Sequence, residues 1–154
     1  MADLTGRVAL VTGASAGIGA AAVGALARAG AEVHAVARRA DRLETLARQT
    51  GCRVHALDIR EPGARDHLAL HLAPDILVAN AGVGAGITGL MEASAEEIEA
   101  TVSTNVTAVL QMLRLFLPGM VESGQGHVVT LGSVAGLYPG VSAVYGASKG
   151  AVRV

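Results

Sequence analysis

The chain has 154 residues, of which 51% are hydrophobic, and carries a formal net charge of −1. That length fits one domain, residues 1–154, with ample material for a core. Charge is dispersed, so neither a basic block for nucleic acid nor an acidic tail is present; uninterrupted apolar runs stop far short of a membrane span, and the N-terminus lacks the charged-then-apolar order of a signal peptide.

Only 2% of residues are aromatic, so the core must be built from Ala, Val, Leu and Ile. Cys52 is the only cysteine. It excludes a disulfide framework and a cysteine-cluster metal site, and the cytoplasm is the expected compartment.

The first element is the apolar run Val8-Ala9-Leu10-Val11, which ends in a glycine-punctuated turn from Thr12 to Gly19. A buried strand that turns through glycines into a helix N-terminus makes an anion site: backbone N–H groups and the positive end of the helix dipole converge there. Gly13 permits the tight turn, Gly17 lets backbone approach a pyrophosphate, and Gly19 lets the helix pack close. A P-loop would need a Lys-Ser or Lys-Thr pair after its second glycine, and none follows.

The first helix is expected from Gly17 to Ala29, stopping at Gly30, with Ile18, Ala22, Ala25, Leu26 and Ala29 inward. Glu32 to Ala37 reads as a second strand. Asp41 with Glu44 resembles a capping box for the helix closed by Gly51. Arg53 to Leu57 is a third strand ending at Asp58, and Pro62 opens a short helix with Leu68, Ala69 and Leu72 inward.

Asp75 to Ala79 is nearly all apolar, as expected of a central parallel strand covered on both faces. Asn80-Ala81-Gly82 ends it, and a glycine-rich loop through Gly84, Gly86 and Gly89 follows. Ser94 and Glu97 make a second capping box. A long helical region, Ala95 to Met120, is expected in two pieces, with Pro118 kinking or ending it. His127 to Leu131 is a fifth strand, Gly132 to Gly140 a loop, and a last helix begins near Ser142.

Strands alternating with helices imply right-handed crossovers and a doubly wound parallel α/β sheet in three layers, here with five strands. Ligands of such sheets bind beyond the carboxyl ends of the strands. Gly13, Arg38, Asp58, Asn80 and Ser133 all fall at such ends, which points to one shared site.

Tyr145 and Lys149 are spaced i, i+4 and share a helix face. An ammonium beside a phenol favours the phenolate, so the pair suits acid–base work. The pattern alone is common; Ser133 upstream and the glycine turn at the other end of the chain give it weight.

Thr12-Gly13-x-x-x-Gly17-x-Gly19, Asn80-Ala81-Gly82, Asn105, Ser133 and Tyr145-x-x-x-Lys149 together resemble the short-chain dehydrogenase/reductase family, in order and in near-spacing, over the whole chain. Ala79 stands where the family often has a first asparagine, and Ser133 to Tyr145 is one residue shorter than the commonest spacing. The resemblance implies a Rossmann-type, nicotinamide-dependent oxidoreductase that interconverts a carbonyl and a secondary alcohol. Tyr145 would be the general acid, Lys149 would tune it and hold the nicotinamide ribose, Ser133 would bond the substrate oxygen, and Asn105 would hold a relay water.

Expected cofactor contacts are Thr12, Gly13, Ser15, Gly17, Ile18, Gly19, Arg38, Arg39, Asp58, Ile59, Asn80, Ala81 and Gly82, with Tyr145 and Lys149. NAD selection needs an acidic residue at the end of the second strand. Ala37 stands there, followed by Arg38 and Arg39, so NADP (NADPH) is preferred and NAD is the alternative; Arg38 can pair with a 2′-phosphate. Asp58 would accept from the adenine amine or cap the next turn.

No metal site is expected. His67 and His71 are i, i+4 but lack the glutamate of an H-E-x-x-H site, so they read as a solvated helix face. His34, His55 and His127 lie in strands with no evident partner in the sequence.

Val83 to Ala93 and Leu137 to Val144 are expected to line the substrate pocket. The look is similar to NADP-dependent 3-hydroxy acid dehydrogenases, an analogy with little power to name a substrate. Expected partners are a small carbonyl or alcohol, with no nucleic acid and no membrane. Family members run to roughly 250 residues, at the upper end of ordinary domain sizes. The sheet is therefore expected to be incomplete at its C-terminal edge, and the 154-residue chain to be a poor reductase by itself. The homo-oligomer, dimer or tetramer, that the full-length family implies is not expected to carry over. The rival readings are a non-catalytic NADP-binding module and an inactive fragment of a longer enzyme.

Overall fold

The protein is described by a computed structural model, and the description covers residues 3–84, 89–138 and 142–153. Five strands, β1 (Val8–Thr12), β2 (Glu32–Ala37), β3 (Arg53–Ala56), β4 (Ile76–Ala79) and β5 (His127–Thr130), form one sheet in the order β3-β2-β1-β4-β5. Every pairing is parallel. The order reverses beside β1, between β2 and β4, and that reversal opens a crevice at the strands' carboxyl ends.

Helices cover both faces. On one, α1 (Gly17–Arg28) and α2 (Ala40–Thr50) pack Val23, Leu43 and Leu46 onto Ala9, Val11, Val33 and Ala35. On the other, α3 (Pro62–His71) and α5 (Ala108–Glu122) bring Leu68, Met112, Phe116 and Met120 onto Leu10, Val36 and Leu77. Leu10, Leu68 and Leu77 are wholly buried, each contributing about 1.5–3 kcal/mol by leaving water.

Three local expectations are corrected. In α1 the buried positions are Gly19, Val23 and Gly24; of the expected inward residues Ala22 and Leu26 pack against the core from its margin, while Ile18 and Ala25 are exposed. The helix is apolar nearly all round, so periodicity does not choose its inner face. The Asp41–Glu44 capping box does not form: α2 starts at Ala40 with Arg39 as N-cap and no side-chain cap. Ser94 and Glu97, by contrast, make both bonds of the box that opens α4 (Ala95–Val102).

Pro118 neither ends nor divides the long helix. Arg114, whose carbonyl loses its partner to the proline, is exposed and open to water. The irregularity comes earlier, as a π-helical segment at Ser103–Thr107 between α4 and α5. The continuous helix Ala95–Glu122 is, by length and composition alone, long and apolar enough to cross a membrane, which contiguous apolar runs did not suggest.

A 3-10 turn at Val134–Gly136 and α6 (Ala143–Ala151) complete the described chain; the Ser142 hydroxyl caps α6 by accepting from the Tyr145 N–H. Within the expected pocket-lining stretches and the loop through Gly86, residues 85–88 and 139–141 lie outside the described residues.

Candidate active site

The ends of β1 and β4 are locked together. The Thr12 hydroxyl oxygen accepts from the N–H groups of Asn80 and Ala81 at 3.1 and 3.0 Å. The Asn80 carboxamide donates back to the carbonyls of Thr12 and Gly13 at 2.9 and 3.3 Å. Thr12 is therefore a buried clamp, set behind the site and not lining it.

The glycine turn wraps this clamp closely. Gly13 and Gly17 have φ of +66° and +57°, a region costly for a residue with a Cβ. A Cβ at Gly13 would lie 2.7 Å from Ala81 Cα, and one at Gly19 would lie 2.5 Å from both Asn80 Nδ2 and the Gly13 oxygen. Gly19 thus admits Asn80 and the turn itself.

Beyond the turn lies a cleft of about 480 Å³. Of the expected cofactor contacts, Gly13, Ser15, Gly17, Ile18, Arg38, Arg39, Asp58, Ile59, Asn80, Ala81 and Gly82 line it; Thr12 and Gly19 lie behind. Sequence reasoning missed Arg60 and Thr104 among its walls, and had placed Val83, which also lines it, with the substrate. Arg60 and Thr104 each stand within two residues of a position it had singled out.

The N-terminus of α1 opens toward the cleft, and its N-cap, Ala16, supplies no side-chain bond. First-turn N–H groups there are free for an anion. Arg38 makes no hydrogen bond or ion pair among the described residues, whereas Arg39 donates from Nε and Nη2 to the Ser15 hydroxyl at 3.1 and 2.8 Å. Asp58 is already engaged: its carboxylate accepts from the Arg60 backbone N–H and from its guanidinium. Those bonds, the side-chain ones first, hold the carboxyl below its usual range. Asp58 thus caps the turn, and it also lines the cleft.

The second cluster adjoins the first along the strip from Asn80 to Gly84. The Asn105 carboxamide bonds both backbone groups of Val83, accepting from N–H and donating to C=O at 2.8 Å each, and donates to the Ser148 hydroxyl at 2.9 Å. The π segment carries Asn105 into this position, and such segments recur where a side chain must be re-aimed.

Lys149 is buried; its ammonium donates to the Leu131 carbonyl at 2.6 Å and lies 5.8 Å from the Tyr145 ring centre. Burial pushes the Lys149 pKa down. Gly82 and Gly84 keep the strip bare: a Cβ at Gly82 would lie 3.5 Å from Lys149 Nζ, and one at Gly84 3.8 Å from the Tyr145 ring. Ser133 caps the 3-10 turn by accepting the Ala135 N–H at 3.1 Å, which leaves its own proton free to donate.

A parallel α/β sheet with a glycine-turn cleft at its switch point, adjoined by a Tyr–Lys pair, defines the Rossmann class of nucleotide-binding folds. The chain belongs to the short chain dehydrogenase family, which it matches over residues 7–154. It is 38% identical over 154 residues to an NADP-dependent 3-hydroxy acid dehydrogenase of Escherichia coli, covering 95% of this chain and 62% of that one. Among solved structures, serine dehydrogenase from Escherichia coli superposes with a TM-score of 0.90 at 38% identity, over 95% of this chain and 71% of that one. A closed serine dehydrogenase complexed with NADP+ gives the same TM-score and identity over 62% of its length. The chain spans 62% of the length of the curated Escherichia coli relative.

Proposed function

We propose that this chain is the cofactor-binding and acid–base part of an NADP-dependent oxidoreductase interconverting a carbonyl and a secondary alcohol. The observation that carries the reading is the adjacency of two independent clusters. The cleft between the glycine turn and the ends of β2 and β3 meets the Tyr145–Lys149–Asn105 cluster along one bare strip, Asn80–Gly84. A dinucleotide fits the first: close backbone approach at Gly13 and Gly17, free helix N–H groups for a pyrophosphate, and Arg38, unpaired among the described residues, for a 2′-phosphate. The relatives' names, NADP-dependent and complexed with NADP+, support the same choice.

A reduced nicotinamide bound there would supply a hydride, and the chain's own residues would handle the proton. Tyr145 donates its phenolic proton to the carbonyl oxygen and takes it back in the alcohol-oxidising direction. Lys149 favours the phenolate as that proton leaves and would hold the nicotinamide ribose. Ser133 donates its free hydroxyl proton to the substrate oxygen. Asn105 is a positioning residue: three bonds fix Val83 against α6, and one carboxamide lone pair is left for a relay water. Substrates to assay first are 3-hydroxy acids, by analogy with the relatives' names.

The test is a fluorescence titration with NADPH and NADH. One charge-assisted contact is worth about 1.5–3 kcal/mol, so NADPH binds roughly ten- to a hundredfold more tightly, and Arg38→Ala removes the difference. Equal affinities in the wild type overturn the NADP assignment, and absence of saturable binding overturns the whole reading.

A further inference from the structure

Away from the cleft, four histidines on three elements lie in a row. His34 on β2 is buried, and its Nδ1 stands 2.9 Å from Nε2 of His55 on β3. The ring centre of His55 is 6.5 Å from that of His67 on α3, which is 4.4 Å from that of His71 one turn further on. The sequence had left His34 and His55 without partners; the β2–β3 pairing and the packing of α3 on the same face bring them together.

The hydrogen bonds set the direction of the row. The Glu32 carboxylate only accepts, so the His34 Nε2 that meets it at 3.1 Å carries the proton. His34 Nδ1 then accepts, and His55 Nε2 donates to it. That leaves the lone pair of His55 on Nδ1. The His67 carbonyl also only accepts, so His71 Nδ1, 2.8 Å away, is a donor and its Nε2 holds the lone pair. His67 and His71 are exposed and His55 is half-buried, so the three rings are open to a small ion.

We propose that His55, His67 and His71 form a binding site for a divalent transition-metal ion, Zn²⁺ foremost, that ties the edge strand β3 to α3. Two histidines at i, i+4 share a helix face and suit one metal, and imidazole favours Zn²⁺, Ni²⁺ and Cu²⁺. Three imidazoles held tetrahedrally at Zn–N distances of about 2.0–2.1 Å have ring centres about 5 Å apart. The two ring spacings that involve His67, 4.4 Å to His71 and 6.5 Å to His55, lie on either side of that value.

Among the described residues no three ligands already converge; His67 neighbours both other rings, and metal binding requires the exposed His67 side chain to rotate toward the Nδ1 of His55 and the Nε2 of His71. The second shell is in place: His55 donates to His34 and His34 to Glu32, a carboxylate relay of the kind that orients metal-bound imidazole. Arg53 would repel a dication, and Glu32 offsets it with an ion pair at 3.0 Å.

The site also has a consequence for the cleft. Leu57 to Arg60, one wall of the cleft, lies in the segment between His55 and His67. A metal joining these ends shortens the free loop and orders that wall.

The experiment uses the 154-residue chain carrying no oligohistidine tag. ZnCl₂ is titrated against a zinc indicator, and CuCl₂ uptake is followed by electron paramagnetic resonance. One equivalent of Zn²⁺ binds, His71→Ala abolishes that uptake, and His55→Gln weakens it by roughly tenfold or more. The Cu²⁺ spectrum shows coupling to three nitrogens, a readout that needs no variant. Zinc uptake unchanged in His55→Gln, copper coupled to two nitrogens or fewer, or affinity no better than millimolar overturns the site.

Discussion

At the scale of the residue, the glycines of the turn divide by what surrounds them. A Cβ at Gly19 would lie 2.5 Å from the Gly13 carbonyl oxygen, which is backbone and cannot swing aside. Gly19→Ala is therefore expected to cost about 1–3 kcal/mol, read by urea denaturation, and to abolish NADPH binding because Gly13 moves; normal binding in that variant would show that the turn has slack. Tyr145 makes the opposite kind of prediction. Tyr145→Phe keeps the ring beside Gly84 and loses only the proton, so NADPH affinity should hold while turnover, in any form of the protein that turns over, falls by about 10²–10⁴. Near-normal turnover there means that the acid is another group. These residues were legible because glycine spacing and the Tyr-x-x-x-Lys register are properties of the chain alone. The capture of Asp58 by Arg60 and of Ser15 by Arg39 was not. Those bonds depend on how a turn closes and on which strand ends adjoin, and a list of residue types does not carry that.

At the scale of the element, β2 and β3 are joined by histidines as well as by their ladder. His55 titrates below the ordinary histidine value of 6.5, through burial first and then through His34, His67, Arg53 and His71. In the unfolded chain the same ring takes its proton near the ordinary value. Between the two values the unfolded state binds more protons, so stability rises with pH across that window. The contribution of His55 is whole above about 6.5 and is lost as pH falls from there through the lower folded value. Urea midpoints measured with a chelator present should decline as pH is lowered below 7, and His55→Gln should flatten that decline; an identical slope in the variant would place the titration elsewhere. Of the helical elements, the alternation of strand and helix and the Ser94–Glu97 box were readable from local pattern. The π segment was not, because it is imposed from outside: Asn105 must reach Val83 on one side and Ser148 on the other. The Asp41–Glu44 box failed because α2 starts two residues early, at Ala40 with Arg39 as N-cap, which places Asp41 inside the first turn.

At the scale of the whole molecule, the two faces of the sheet are unequally covered. One carries α3 and α5 across its core strands, while on the other α1 and α2 sit over β1 to β3 and leave β4 and β5 facing a groove of about 700 Å³. The strands contribute Ile76, Val78 and Val129 to it, and α1 contributes Ile18, Ala22, Ala25 and Leu26. These are the α1 residues whose apolar character suggested an inward face, so the pattern was right about their chemistry; how the helix crosses the sheet decides that Val23 and Gly19 take the core side. An open apolar groove of this size should bind an apolar dye in the native state. Anilinonaphthalene sulfonate fluorescence should therefore rise with the folded 154-residue chain at neutral pH, without denaturant. Ala25→Glu places a carboxylate on the groove wall at an exposed position, so it should suppress the dye signal severalfold while changing stability by no more than about 0.5 kcal/mol. A chain that stays dark with the dye, or an Ala25→Glu variant as bright as the wild type, would mean that the β4–β5 side of this face is closed in solution.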